Sequence, residues 1–251
     1  MKTLILFDVD GTLCYSGQKI KPEMCQLLTK LKAHDLQLSI IGGGTYDKIS
    51  NQLSILNIIN VFDDLCAENA MDSYNIPTNK QIYQGNIRDQ WDATKLTQIV
   101  THLLEYTFKL TDLPVKTGKF IDLRKGLIYW SLIGQNCTYQ ERQAFKALDI
   151  DGQYRIKVIK ELQNQYPIFR SCELSLGGEL GISISPEGFD KSYVKNVIDL
   201  TKYDKIYFFG DKLDSYGSDE AMKKLSQVKC YQVTDPDDSL QQLTQLFLSD
   251  N

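Results

Sequence analysis

The stretch LILFDVDGT, residues 4–12, decides the fold, because a short apolar run ends there in two aspartates one residue apart. The apolar run has the composition of a buried strand. Carboxylates at the end of such a strand project towards one site, where one can attack an electrophile while the other handles a proton. Two carboxylates also attract a hard cation, for which Mg²⁺ is the natural choice. We therefore expect Asp8 and Asp10 to be catalytic and to bind Mg²⁺.

Two other interpretations of this motif are an ordinary Asp-Gly surface turn and an EF-hand calcium loop, which also begins Asp-x-Asp. The EF-hand is excluded because its required glycine would fall at Leu13, and because a strand precedes the motif where an EF-hand has a helix. The surface turn stays open on these residues alone, although the apolar strand before the motif favours a chemical role.

Both ends of the chain alternate between strand-like and helix-like segments. Apolar runs that suit buried strands are separated by stretches with apolar residues at helical spacing. The predicted strands cover residues 3–7, 36–41, 61–67, 205–210 and 228–233, and predicted helices begin near Pro22, Lys191 and Pro236. This alternation is typical of α/β proteins with a parallel sheet covered on both faces. We therefore predict a Rossmann-like parallel-sheet core.

The middle of the chain follows another order, which is helix, two strands, two helices and two strands. That order is typical of an antiparallel sheet with helices on one face. We expect residues 83–188 to form an inserted α+β cap domain that binds substrate, and residues 1–82 and 189–251 to form the catalytic core. Within the cap, Thr138 and Glu141 have the spacing of a capping box at a helix start.

The composition of the 251 residues excludes several classes of function. The net charge of −4 argues against a nucleic-acid partner, which calls for a basic surface. Six dispersed cysteines without a Cys-x-x-Cys pair indicate reduced thiols, and two histidines give poor support to a zinc site or a Ser-His-Asp hydrolase. With no apolar run near 18 residues and no signal-peptide core, we expect a cytoplasmic protein without a membrane partner.

Further positions carry possible phosphate or metal chemistry. Glycines at residues 42–44 would let backbone N–H groups approach a phosphate, with Thr45 adding a hydroxyl, although an ordinary turn is an equal alternative. Lys191 opens a predicted helix, Asp211 ends a predicted strand, and Asp219 follows a Gly-Ser pair. Alone, such residues are more often a solvated lysine or helix caps.

Together, these signals resemble the haloacid dehalogenase superfamily of phosphotransferases, which has the same features in the same order. The resemblance implies that Asp8 becomes an aspartyl-phosphate and that Asp10 protonates the leaving group and then activates the incoming one. It further implies that residues after the second strand and a lysine late in the chain hold the phosphoryl oxygens, that an aspartate completes the first Mg²⁺ site, and that another is the candidate for a second. These residues are Gly44, Thr45 and Lys191 for phosphate, Asp211 for the first metal, and Asp219 for the second.

A narrower resemblance runs through nearly the whole chain. The motifs that carry it are LFDVDGTL, QKI, AENA, FIDLR, IGQNC, SLGG, PEGFDK and FFGDK. They are similar to those of the eukaryotic-type phosphomannomutases. The resemblance implies interconversion of mannose 6-phosphate and mannose 1-phosphate through a bisphosphate. It also implies Mg²⁺ and a hexose bisphosphate activator as cofactors, and a homodimer formed through the cap.

The cap matches this family only in part. Arg124 and Arg142 correspond to two family arginines, whose planar fork suits a phosphate held away from the metal. Gln135 stands where relatives have an arginine, while Gly181 and Ser183 replace a serine and an aspartate that contact sugar hydroxyls. These five positions are the expected substrate-binding set of the cap.

Two differences from the family pattern lie in the core. Gly17 replaces an arginine, and residues 222–225 replace the acidic loop expected beyond Asp219, which weakens the case for a second metal.

These differences leave an alternative function open. With fewer cations the bisphosphate would leave sooner, so a phosphosugar phosphatase is the alternative function. A third hypothesis is a protein that binds sugar phosphates without turnover. The nucleophile Asp8 argues against this hypothesis, because binding alone does not need one.

Overall fold

The protein is described by a computed structural model that covers residues 1–249, with Asp151 placed by its backbone alone. The chain divides into two compact units. The core unit consists of Met1–Gln84, Lys191–Ser215 and the chain from Asp219 onwards, and the inserted unit consists of Gly85–Asp190 with Tyr216–Ser218. The sequence placed the insertion at residues 83–188, without the short segment at 216–218.

The core unit is built on a seven-stranded sheet in the order β11-β10-β1-β2-β3-β4-β5. The five strands from β11 to β3 are parallel to one another, and β4 and β5 add an antiparallel edge. The strands are β1 (Thr3–Phe7), β2 (Gln37–Ile41), β3 (Asp64–Ala67), β4 (Asp72–Asn75), β5 (Lys80–Gln84), β10 (Lys205–Gly210) and β11 (Val228–Gln232). The predicted parallel-sheet α/β core is confirmed.

Three α-helices belong to this unit, and each begins where the local sequence favours a helix start. They are α1 (Pro22–Ala33), α2 (Tyr46–Gln52) and α6 (Pro236–Phe247). Proline stands in the first turn of α1 and α6, where its missing N–H costs nothing. The side chain of Thr45 caps α2, and that of Asp235 caps α6. Apolar clusters cover both faces of the sheet, so β1 at its centre is fully buried.

The core differs from the prediction in its shorter elements. The third strand begins at Asp64, because Ile55–Val61 before it form a 3₁₀-helix that is kinked by left-handed backbone at Leu56 and Asn57. The helix expected from Lys191 is a six-residue 3₁₀-helix, Lys191–Asn196, and the short one after Gly217 is a 3₁₀-helix at Glu220–Lys224.

The inserted unit has a four-stranded antiparallel sheet in the order β6-β7-β9-β8. Its strands are β6 (Ile121–Leu123), β7 (Ile128–Ser131), β8 (Cys172–Gly177) and β9 (Gly181–Pro186), and its helices are α3 (Ala93–Lys109), α4 (Tyr139–Gly152) and α5 (Tyr154–Gln165). Trp130 on β7 is fully buried and donates a hydrogen bond of 2.9 Å to Thr107 on α3. The capping box of Thr138 and Glu141 opens α4 as predicted. Among residues 1–249, none of the helices combines the length and apolar character needed to cross a membrane.

Candidate active site

An acidic cluster lies at the carboxyl edge of the core sheet. Asp8 directly follows β1 and Asp211 directly follows β10, and these neighbouring parallel strands end together. Asp219 joins them, so that one carboxylate oxygen of each of the three residues lies within 4.8 Å of the other two. The carboxylates of Asp8 and Asp219 are buried. Parallel topology therefore brings Asp8 and Asp211 together, and the segment after β10 adds Asp219, which lies 211 positions from Asp8 in the chain (219 minus 8).

Two glycines let the backbone approach this cluster. Gly11 has φ +89°, a left-handed conformation, and a Cβ there would overlap the Asp211 carboxylate. A Cβ at Gly210 would overlap the carboxylate of Asp219. The glycine of the Asp-x-Asp-Gly motif and the glycine before Asp211 are thus required by space around the acidic groups.

Lys191 supplies a buried positive charge to the cluster. Its ammonium group is 1% exposed and donates hydrogen bonds to Asp8 Oδ1, at 2.6 Å, and to Asp219 Oδ1. Burial alone would lower the pKa of this lysine, but the charges of Asp219 and Asp8 hold it above its ordinary value. The second oxygen of Asp219 accepts the backbone N–H of Lys212 at 3.0 Å. The lysine is therefore charged and fixed between two carboxylates.

The three carboxylates of the cluster carry more negative charge than the ammonium groups of Lys191 and Lys212 balance, although Lys212 Nζ lies 3.7 Å from Asp211 Oδ2. Burial raises the pKa of Asp8 to about 7; Lys191 opposes this shift, while Asp219 and Asp211 add to it. Burial likewise raises the pKa of Asp211, against the opposing charge of Lys212. Groups of like charge in a site of low polarity resist ionisation together unless another cation joins them.

The donors of this cluster fit a hard divalent cation. Asp211 Oδ1 is buried and has no hydrogen-bond partner among residues 1–249, although a buried carboxylate oxygen is normally satisfied. Three carboxylates offer the oxygen ligands that Mg²⁺ prefers. Asp8, Asp211 and Asp219 are therefore the residues whose chemistry suits a magnesium ion.

The Asp10 carboxylate lies outside this group. It accepts hydrogen bonds from Lys48 Nζ, from Gln52 Nε2 at 2.8 Å and from the backbone N–H of Gly17 at 3.0 Å. Burial acts to raise the pKa of Asp10, but the Lys48 charge and these hydrogen bonds lower it overall. The sequence assigned Asp10 to the first metal and Asp219 to a second. In the structure Asp219 groups with Asp8 and Asp211, because the Asp10 side chain is turned towards α2.

Lys48 and Gln52 were missed by the sequence reasoning. They lie four positions apart on α2, so both side chains share the helix face that meets Asp10. The sequence does show a lysine and a glutamine four positions apart on the helix that follows the glycine turn. This spacing alone does not predict a contact with Asp10, because the contact also depends on how the helix is rotated relative to the sheet.

The glycine turn after β2 lies at the same edge of the sheet as the acidic cluster, since β2 is parallel to β1. The hydroxyl of Thr45 accepts the backbone N–H of Lys48 at 3.3 Å, which makes it the cap of α2. The carbonyl of Gly44 accepts the N–H of Glu68 at 3.0 Å. Thr45 therefore already has a structural role, and its hydroxyl would have to serve a phosphate in addition to the helix.

The two arginines of the inserted unit that the sequence assigned to phosphate are each paired with a carboxylate. Arg124 donates from Nε to Asp122 at 3.0 Å, and its side chain is 14% exposed. Arg142, in the first turn of α4, contacts Glu179 at 3.4 Å and is 32% exposed. Both guanidinium groups therefore have a carboxylate partner that a phosphate could replace.

The three remaining positions of the expected set lie elsewhere in the same unit. Gly181 and Ser183 are on β9, at positions that alternate with the buried Ile182. The backbone N–H of Gln135 donates to Lys119, while its side-chain nitrogen is buried with no partner among the described residues. An uncharged amide thus stands at the position where an arginine was expected.

Known proteins of one family match this sequence along nearly the whole chain. The family described as eukaryotic phosphomannomutase matches residues 24–249. The phosphomannomutase of Spinacia oleracea is 31% identical over 246 residues, which are 98% of this chain and 96% of that protein. Phosphomannomutase 1 of Dictyostelium discoideum is 33% identical, with the same coverage of both chains.

Solved protein structures with a similar fold also match nearly the whole chain. The crystal structure of a haloacid dehalogenase-like hydrolase from Bacteroides thetaiotaomicron matches 98% of this chain and 100% of its own, with a TM-score of 0.57. The two sequences are 13% identical, so this likeness bears on the fold alone.

Proposed function

The chain belongs to the eukaryotic phosphomannomutase family, and we propose on that basis that it is an isomerase which interconverts hexose 6-phosphate and hexose 1-phosphate, with mannose as the sugar. The observation that carries the proposal is the buried cluster of Asp8, Lys191, Asp211 and Asp219 at the carboxyl edge of the sheet. A nucleophile and a phosphate-binding cation are the groups that phosphoryl transfer needs.

In this mechanism Asp8 attacks phosphorus, and the bond from phosphorus to the sugar oxygen breaks. When Asp8 carries a phosphoryl group from the bisphosphate activator, Asp10 first takes a proton from the sugar hydroxyl that receives this group. Asp10 then returns the proton to the sugar oxygen that leaves when Asp8 attacks the other phosphate. Lys191 already lies 2.6 Å from Asp8, where its charge would offset that of the phosphoryl oxygens. Asp8 is the nucleophile because its carboxylate is in the cluster, while that of Asp10 is turned away from it.

Lys48 and Gln52 orient the acid–base group. Their hydrogen bonds fix the plane of the Asp10 carboxylate and leave it beside the Asp8 site instead of within it. The lowered pKa of Asp10 keeps the carboxylate ready to accept a proton from an incoming hydroxyl. These two residues therefore act through Asp10, as positioning residues.

Asp8, Asp211 and Asp219 are the residues that would hold Mg²⁺, and the ion would neutralise charge on the transferring phosphoryl group. The unpartnered oxygen of Asp211 supports this assignment. A requirement for a hexose bisphosphate activator, which the family resemblance implies, is part of the same proposal.

The inserted unit acts as the cap that binds the second phosphate. Arg124 and Arg142 would exchange Asp122 and Glu179 for phosphate oxygens, which a planar guanidinium binds through two hydrogen bonds. Gln135 contributes hydrogen bonds without charge. Assembly of a homodimer through this unit belongs to the same proposal.

The test supplies mannose 1-phosphate with Mg²⁺ and a trace of hexose bisphosphate, and records mannose 6-phosphate and free phosphate in the same tubes. We expect isomerised product to exceed free phosphate, and we expect excess chelator to abolish both. Free phosphate alone would identify a phosphatase, the outcome that an uncharged residue at Gln135 favours. Neither product, with any hexose phosphate, would overturn the proposed function.

A further inference from the structure

One face of the inserted unit's sheet carries a row of polar side chains. The register pairs Tyr129 on β7 with Asp122 on β6 and with Ser183 on β9, and Ser183 in turn with Ser175 on β8. The flanking residues Ile128, Trp130, Ile182 and Ile184 are fully buried. Because side chains alternate between the faces of a sheet, the polar row lies on the face opposite this apolar core.

The ring of Tyr129 lies against bare backbone in this row. A Cβ at Gly177 would come within 2.8 Å of ring atom Cε2, and a Cβ at Gly181 within 2.7 Å of Cζ. At Gly178 a Cβ would be 3.6 Å from the tyrosine hydroxyl. The tyrosine ring and the Ser183 hydroxyl therefore fill the space above Gly177, and at Gly181 the backbone carbonyl of Trp130 also leaves no room for a side chain.

Arg124 is held against the same ring. The guanidinium carbon lies 4.9 Å from the ring centroid, in cation–π geometry, while Nε bonds Asp122 at 3.0 Å. The ring and the carboxylate together restrict the arginine to one direction. A change at Tyr129 would thus move or release the guanidinium group that the proposed function assigns to phosphate.

The backbone beneath the ring is held by a second arginine. Arg155 is buried and donates to the carbonyls of Gly178 and Gly181, at 3.0 and 2.9 Å, and more weakly to that of Gly177. Its Nε bonds Asp149 at 2.8 Å. The ring of Tyr129 therefore rests on backbone whose carbonyl groups are held in place by hydrogen bonds.

We propose that Tyr129 is a specificity-determining residue for the sugar phosphate, an inference that rests on the proposed function. Its ring sets the direction of Arg124 and closes the space above Gly177 and Gly181, so that a phosphorylated pyranose meets the aromatic hydroxyl and Ser183 on this face. A pyranose presents both C–H groups and hydroxyls, which an aromatic ring with a polar tip complements.

The test measures binding by calorimetry in the Mg²⁺-loaded full chain, with mannose 6-phosphate and its C2 epimer glucose 6-phosphate as probes. We expect Tyr129→Ala to weaken binding of the preferred epimer roughly tenfold, as for the loss of a desolvated cation–π contact, and to bring the ratio of the two dissociation constants towards one. Tyr129→Phe should retain most of the affinity, because the ring and its contact with Arg124 persist. Phe108→Ala, which truncates an exposed ring of the same unit, should leave the ratio unchanged.

Gly177→Ala provides an independent variant that keeps the tyrosine. The added Cβ would lie 2.6 Å from Ser183 Oγ and 2.8 Å from Tyr129 Cε2, so it displaces both side chains, and the ratio should move in the same direction as in Tyr129→Ala. In the Tyr129→Ala background its effect on the ratio should be smaller than in the parent, because the clash with the ring is gone and only the clash with Ser183 remains. An unchanged ratio in folded Tyr129→Ala and Gly177→Ala proteins overturns the inference, as does absence of binding of both epimers to the parent.

The same measurements separate this inference from the proposed function. A parent that turns over mannose 1-phosphate, with an epimer ratio insensitive to Tyr129, leaves the proposed function standing and removes Tyr129 from specificity. A parent that binds the epimers with a Tyr129-dependent ratio but converts neither retains the specificity role and loses the isomerase activity.

Discussion

The acidic cluster of the core and the arginine–carboxylate pairs of the inserted unit differ in how far their charges are exposed to solvent. In the cluster, Lys191 and Asp219 are almost completely removed from solvent and bond to each other directly. In the inserted unit, Arg124 and Arg142 keep part of their surface in solvent and pair with one carboxylate each. The buried ion pair of the cluster is therefore suited to persist, whereas the partly exposed arginine–carboxylate pairs of the inserted unit are suited to exchange their partners.

Solvation explains the difference. Removing one partner of a buried ion pair leaves an unpaired charge and costs about 3–5 kcal/mol, whereas an exposed pair contributes about 0–1 kcal/mol. Under the proposed function, a phosphate would therefore replace Glu179 on Arg142 at small cost in stability, while the Lys191–Asp219 pair would persist through the reaction.

The nucleophile gives the largest expected effect. Asp8→Asn keeps the shape of the side chain but removes the attacking charge, so turnover should fall by at least about a thousandfold while the fold is kept. Asp35→Asn, a change of the same chemistry at an exposed position, should leave turnover unaltered. The measurement is the initial rate of isomerisation, with circular dichroism as the check on folding. Turnover of Asp8→Asn within about tenfold of the parent would remove Asp8 from the covalent step.

Lys191→Met compared with Arg142→Met tests the contrast between the two regions directly. The first change leaves two buried carboxylates without their cation, and it should lower the free energy of unfolding of the metal-free protein by about 3–5 kcal/mol. The second should cost less than about 1 kcal/mol, because Glu179 keeps Lys146 as a partner at 3.0 Å. Urea unfolding in chelator measures both. Equal losses in the two variants would contradict the distinction between kept and exchangeable pairs.

The raised pKa of Asp8 predicts how the stability of the metal-free protein depends on pH. The pKa of its carboxyl is about 7 in the folded chain against an ordinary value of 3.8, so between these values the folded state binds more protons than the unfolded state. The Asp8 contribution to stability is complete below about 4, and it is lost as pH rises to about 7. The difference in melting temperature between parent and Asp8→Asn should therefore change in that direction between about pH 5 and 7.5, and level off above.

Magnesium supplies the control for this pH dependence. The ion competes with the proton for the Asp8 carboxylate, so saturating Mg²⁺ should flatten the pH-dependent difference between parent and Asp8→Asn. A parent that gains stability relative to Asp8→Asn as pH rises in chelator would show that burial does not dominate the titration of Asp8.

The smallest effect is expected at Gln135, where the inserted unit has an amide instead of a cation. An added arginine–phosphate pair should prolong retention of the bisphosphate, so Gln135→Arg should raise the ratio of isomerised sugar to released phosphate roughly tenfold. The parent and the variant are compared at saturating Mg²⁺, with Gln135→Met as the uncharged control. An unchanged or lower ratio would mean that charge at this position does not decide the fate of the intermediate.

The parts of the structure that the sequence predicted are those carried by strong local patterns. The apolar run of Thr3–Phe7 and the strand Lys205–Gly210 are buried elements, and their parallel pairing makes Asp8 and Asp211 neighbours. The antiparallel strands Asp72–Asn75 and Lys80–Gln84 escaped notice because both are rich in polar residues and the second is also largely exposed, so they lack an alternating apolar pattern.

Side-chain partners that depend on packing could not be predicted. The contact of Lys48 with Asp10 needs the rotation of α2, and the contact of Arg124 with Tyr129 needs the register of β6 against β7. The place of Asp219 beside Asp8 depends on an irregular segment after β10 that has no periodic signal. Each is a tertiary property that lies outside the local pattern.

The central position of β1 has a consequence for how the protein emerges from the ribosome. This strand pairs with β2 on one side and with β10 on the other. At synthesis rates of roughly 5–20 residues per second, β10 follows β1 by about 10–40 s, and Gly85–Asp190 are made in between. We expect the nascent inserted unit to fold while β1 still exposes an apolar edge, which makes this strand the segment most in need of a chaperone during translation.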